Sequence, residues 1–222
     1  MPSKTRDRQR RPARSQRPLP PGKSLLVVCE GTTEQEYIDE LSRHIGNPSV
    51  QIRFCRDRGT PDKIIELAQQ EIRAQAANRN PGYDEVWCVF DRDDHDHFHG
   101  PIQTAIDRGY KLAVSNPCIE LWLLIHHRES PGQQHRDHIA RMLTQFDKNY
   151  DKHISFGLYR GGLRNAVRTA HRLEVMADED GERPFSNPST SFYKMVISVA
   201  TRADSDSYIQ GWDWLANHAD SQ

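Results

Sequence analysis

Two stretches decide the fold: SLLVVCEG at residues 24–31 and EVWCVFDRD at residues 85–93. Each is an unbroken apolar, β-prone run that ends in a carboxylate. Runs without polar alternation mark strands covered on both faces, as in parallel sheets. Between them the spacing changes. Residues 33–45 carry Tyr37, Ile38, Leu41 and Ile45 at helical intervals; Thr32 or Thr33 is expected to cap this helix, with Glu36 closing a capping box on Thr33. Residues 50–55 read as a short second strand. Thr60 should cap a second helix that has Pro61 at its first position, a favoured placement. Beyond the third strand come a polar loop at 91–100, a helical stretch at 102–109 and a fourth strand at 111–115. The β-α-β-α-β-α-β order implies a parallel sheet with right-handed crossovers, flanked by helices, an α/β fold. From residue 117 onward the pattern is helical (118–127, 137–148, 163–177, 189–203), with a linker at 157–162 and a loop at 179–188. The expected organisation is an arm at 1–23, an α/β core at 24–128 and a helical C-terminal region at 129–222 packed on that core. The polar end carries Tyr208, Ile209, Trp212, Trp214 and Leu215, expected to dock as a short helix.

Composition limits the function classes. The chain has 222 residues, 30 Lys plus Arg against 31 Asp plus Glu, a net charge of −1 and a mean hydropathy of −0.82. The longest apolar runs, such as 25–29 and 121–125, fall far short of the ~18 residues a membrane helix needs. The basic start lacks an apolar segment after it and does not read as a secretory signal. Cys29, Cys55, Cys88 and Cys118 are widely spaced and read as free thiols, which points to a reducing, cytoplasmic setting. Charge is unevenly placed: residues 1–23 hold eight basic side chains against Asp7 alone, a net of +7 that leaves −8 for the rest. With five prolines and few apolar residues, this arm is expected to be disordered; it reads as a phosphate-contacting arm or as a solubilising tail.

In open parallel sheets ligands bind beyond the carboxyl ends of the strands. There the chain places Glu30 and Gly31 after strand 1, Asp91 and Asp93 after strand 3, and Ser115, Asn116 and Glu120 after strand 4. Three hard oxygen ligands with room for water suit Mg²⁺, with Mn²⁺ as a substitute, and Gly31 would let a phosphate approach the backbone. Each acid has a plainer reading as a turn or cap residue. Glu34 is a second ligand or simply a favourable charge at a helix N-terminus; Asp94 and Asp96 bind a second ion or are solvated; Asn116 caps a helix that has Pro117 at its first position. The 91–99 loop fails as an EF-hand; His95, His97 and His99 are of zinc-ligand type, but their alternating spacing without HExxH or Cys partners is a weak zinc signal, and they read as solvated or near phosphate. Lys148, Lys152, Arg160 and Arg164 are candidate phosphate contacts. Trp122 reads as core. Tyr150 and Tyr159 are set aside as nucleophiles because no topoisomerase-scale gate fits in this length.

LLVVCEGTTEQEYI (25–38), VFDRDDHD (89–96), AVSNPCIELWLLIHH (113–127) and NPSTSFYKMV (187–196) together resemble the RloB family, Toprim-like proteins linked to abortive infection and bacterial defence. The resemblance covers about residues 24–200. It implies a Toprim-like sheet whose Mg²⁺-binding acids are Glu30, Asp91 and Asp93, with Glu120 a plausible addition, and strand cleavage of RNA or DNA as the activity. It also implies a separately encoded ABC-type ATPase partner; the chain has no GxxxxGK[ST] of its own. The expected function is a metal-dependent nuclease that acts as a phage-defence effector, in which metal-activated water attacks the phosphodiester. The alternatives are a non-catalytic regulatory subunit of the ATPase and a primase-like nucleotidyltransferase. Nucleic acid is the expected partner, no membrane is, and the two termini leave room for homo-oligomers.

Overall fold

The apolar run at the start of the chain forms β1 (Leu25–Cys29), in which every residue is buried. The computed structural model describes residues 23–46, 50–54, 60–92, 98–181 and 184–200. The anticipated basic arm at 1–22, Cys55, Asp93, Asp94, His95, Asp96, His97 and the segment after residue 200 lie outside the described residues.

After β1 come α1 (Thr32–Ile45), β2 (Val50–Phe54), α2 (Pro61–Ala77), β3 (Glu85–Asp91), α3 (His99–Asp107) and β4 (Lys111–Asn116). The first four strands are parallel, in the order β2-β1-β3-β4. The chain then adds α4 (Ile119–Leu124), α5 (Arg136–Leu143), the short α6 (Phe156–Tyr159), α7 (Leu163–Glu179), β5 (Ser189–Thr190) and α8 (Phe192–Ala200). The two residues of β5 pair antiparallel with Ser115 and Asn116 at the sheet edge.

The period of two in a strand sends alternate side chains to opposite faces, and two cores result. Leu25, Val27 and Cys29 pack with α1, α4, α7 and α8 on one face. Leu26 and Val28 pack with α2 and α3 on the other. Ile139, Leu143 and Tyr159 share the first cluster with β1, so the C-terminal helices are continuous with the core of the sheet. Among the described residues no helix is long and apolar enough to cross a membrane.

Several local expectations fail. The N-cap of α1 is Gly31, and neither Thr32 nor Thr33 caps it. Thr33 Oγ1 instead donates to the Lys152 carbonyl at 2.8 Å, and Glu36 accepts from the Ile154 amide at 3.0 Å. Tertiary partners have claimed both members of the capping box. Thr60 precedes α2, with Pro61 first as expected, but its side chain makes no cap bond. Asn116 is the last residue of β4, and Cys118, not Asn116, stands at the N-cap of α4. The helix expected at 137–148 stops at Leu143, and part of the expected 157–162 linker is helical. β5 stands where a helix start was expected. Lys23, counted in the arm, is instead a largely buried partner of Glu85 at 2.9 Å.

Candidate functional site

The crossover from β1 through α1 runs to one side of the sheet, to β2, and the next crossover returns past β1 to β3. The strand order therefore reverses between β1 and β3, and their carboxyl ends open a crevice there. Glu30 and Asp91 flank it. The Glu30 amide donates to the Val89 carbonyl at 3.1 Å, extending the ladder by one residue, and the Asp91 amide donates to Glu30 Oε2 at 3.3 Å.

Two further carboxylates reach the same edge. Glu34, in the first turn of α1, is 4 % exposed, and Glu120, in the first turn of α4, is 1 % exposed. Gly31 lies under the Glu34 carboxylate: a Cβ on Gly31 would lie 2.5 Å from Glu34 Oε2, so a side chain there would push the carboxylate from its place. Close approach of a phosphate to Gly31 would require that carboxylate to move aside.

The electrostatics follow from crowding. Burial, followed by the charges of Glu30 and Glu120, pushes the Glu34 carboxyl up to about 7. Asp91 is raised well above the usual carboxylate range by burial and then by Glu34, Glu120 and Glu30. Glu120 goes the other way. Burial opposes its charge, but the Lys152 ammonium and the hydrogen bonds of Lys152 and Tyr150 outweigh burial and lower its pKa. Lys152 Nζ pairs with Glu120 Oε1, which also accepts from Tyr150 Oη at 2.8 Å. Tyr150 Oη is 3.2 Å from Thr33 Oγ1. Lys152 itself has a left-handed backbone, φ 80°, a strained conformation held by these contacts. Its head is more than half exposed, so it stands between the buried carboxylates and solvent.

Of the residues singled out in the sequence, the structure brings Glu30, Asp91, Glu34, Glu120 and Lys152 together, with Gly31 beneath them. Asp93 and Asp94 lie outside the described residues. Asn116 does not join; its Nδ2 donates to the Phe185 carbonyl at 2.6 Å and ties down the loop before β5. Lys148 and Arg160 are exposed, and among the described residues neither forms an ion pair with those carboxylates. His99 is an exposed first residue of α3. Trp122 is fully buried, as expected of core. Arg136, missed in the sequence, opens α5 and its charge acts on Asp91. A cation at a helix N-terminus is disfavoured by the helix dipole, and that misfit was the available signal. Cys29, Cys88 and Cys118 are buried free thiols, as expected.

The donor chemistry is that of a hard divalent cation. All the acids present oxygen, their mutual repulsion favours any added positive charge, and Glu120 Oε2 is buried without a hydrogen-bond partner. Among the described residues alone, no three acids, histidines or cysteines are gathered closely enough to hold an ion.

A model of the RloB-like protein family matches residues 25–199. Neither a curated protein nor a solved structure matches the chain.

Proposed function

This chain belongs to the RloB-like family, and we propose that it is a metal-dependent nuclease of Toprim type, an effector of anti-phage defence that cleaves phosphodiesters at the β1/β3 edge. One observation supports the reading: Glu30, Glu34, Asp91 and Glu120, from three separate chain segments, lie near enough at the point where the strand order reverses for their charges to raise the carboxyls of Glu34 and Asp91. Structural carboxylates do not need such company, since like charges raise one another's pKa.

Glu30 and Asp91, with Asp93, would hold Mg²⁺ or Mn²⁺, and Glu34 and Glu120 would stand behind them. Bound there, the ion would supply Lewis-acid stabilisation of the phosphate and activation of water. The chain supplies the rest. Lys152 and Arg136 place positive charge beside the carboxylates, where a phosphate would need it. The Tyr150 and Thr33 hydroxyls fix the loop that carries Lys152. The acidic body opposes nucleic acid, and the basic arm or a separately encoded ATPase partner would offset it.

The test is cleavage of pooled tRNA, single-stranded DNA and duplex DNA by the full chain, with and without the ATPase, in Mg²⁺, Mn²⁺ or EDTA. Metal-dependent products that vanish in Glu30→Gln and Asp91→Asn are expected. Cleavage that survives both substitutions sinks the assignment, and no product under any condition favours a regulatory subunit.

A further inference from the structure

Away from the carboxylates, a cavity of about 650 Å³ runs along the outer edge of β4, between α7, α8 and the loop before β5. Its size is that of a site that takes an aromatic anchor or a small ligand. Three features show that it is unfilled by the described chain. Ser186 and Ser189 line it, and their hydroxyls are buried without hydrogen-bond partners; Ser189 is 9 % exposed. Buried hydroxyls of this kind are normally satisfied. Next, β5 covers only the last two residues of β4. The Val114 amide faces outward to Ser191 Oγ at 2.9 Å, so by the period of two the Leu112 amide also faces outward, where β5 no longer reaches. Finally, the cavity rim includes Ile106, an exposed isoleucine at 54 %. The charged groups at the cavity are largely engaged: Lys23 and Lys111 both pair with Glu85, and Lys194 pairs with Glu174. The occupant it suits is apolar and aromatic, with hydrogen-bond donors for the two serines.

We propose that the cavity takes the chain's own segment 208–215, YIQGWDWL, with Trp212 or Trp214 as the buried anchor. The argument is one of place and chemistry. Ile197 and Ser198, in the last turn of α8, line the cavity, and the chain leaves that helix at Ala200. Seven residues separate Ala200 from Tyr208; at ~3.3–3.6 Å per residue they span the distance to the cavity with ease. A tether this short gives an effective concentration in the millimolar range. Trp87 and Trp122 are already buried, which leaves Trp212 and Trp214 as the tryptophans without an assigned site. An indole N–H is a donor only, and Ser186 and Ser189 offer acceptors. This inference does not depend on the nuclease reading.

Hydrogen exchange on the full chain tests it, at two protein concentrations tenfold apart. Residues 208–215 and 110–113 should be protected together. Trp212→Ser with Trp214→Ser should speed exchange of 110–113 at least tenfold while β1 and β3 stay unchanged. Ile106→Lys, a surface change at the rim, should release 208–215 without touching it. Free-chain exchange of 208–215 in the unmodified protein, or unchanged 110–113 in the double variant, overturns the proposal. So does protection lost on dilution, which would assign the cavity to a second copy.

Discussion

His126 gives a sharp test of the core beneath the site. Its ring is 4 % exposed and wedged among Tyr37, Trp122 and Tyr159. Nδ1 lies 2.7 Å from the Tyr159 carbonyl, which only accepts, so Nδ1 carries the proton; Nε2, 3.1 Å from Tyr37 Oη, accepts. Both nitrogens are thus used by the neutral ring. Burial lowers the pKa from 6.5 to about 3. The unfolded chain therefore binds a proton the folded chain refuses between these values. Stability is intact above pH 6.5 and falls as the pH drops toward 3. At about 1.4 kcal/mol per pH unit, His126 alone removes about 2 kcal/mol between pH 6.5 and 5. Glu34 acts oppositely: its raised carboxyl, at about 7, takes a proton in the folded state and gains stability on acidification. The measurement must therefore be a difference between two proteins. His126→Gln stays neutral and retains a donor and an acceptor. Urea unfolding from pH 7 to 5 should show the variant gaining about 2 kcal/mol on the parent protein as the pH falls. A constant difference across that range would refute the neutral, buried assignment.

Other outcomes follow from single contacts. Gly162→Ala would drive a methyl into the backbone carbonyl of His126, and because both sides are backbone the thermal midpoint should drop by the equivalent of about 2–4 kcal/mol. Glu85, held to about 2 despite its burial by Ser198, Lys111, Lys23 and Trp87, contributes stability above pH 4.5 that is lost as the pH falls through 2. Chemical denaturation should accordingly find Glu85→Gln weakened at pH 7 and nearly equal to the parent near pH 2. Mg²⁺ should raise the melting temperature of the full chain and EDTA should reverse this, with ~2.7 kcal/mol gained at a hundredfold excess over Kd. Asp91→Asn should abolish that gain, and an unchanged response would remove Asp91 from the ion's ligands.

The strands and the acids at their ends were legible because both signals are local. An apolar run such as 25–29 announces burial on both faces, and Glu30 and Asp91 follow directly from where the runs stop. The caps were not legible. Thr33 and Glu36 match a capping box by spacing, yet their partners, Lys152 and the Ile154 amide, stand 119 and 118 residues away. Sequence distance also hid the partner of Lys152, whose ammonium pairs with Glu120 from 32 residues earlier in the chain. β5 was missed because two residues carry no periodicity, and their pairing depends on a β4 edge that sequence spacing does not expose. Asn116-Pro117 matched a helix start in composition alone.

The stitching of the 150–154 loop to the first turn of α1 sets an order of events during synthesis. Three of the four clustered acids leave the ribosome by position 91, the fourth arrives at position 120, and the lysine that balances it emerges only at position 152. At ~5–20 residues per second, the nascent sheet carries an uncompensated acidic edge for seconds. A chain halted before residue 150 would present the four parallel strands of this fold, but its acidic edge would still lack the lysine and tyrosine that hold Glu120. The edge is thus completed by the second half of the polypeptide, well after the four parallel strands that carry it.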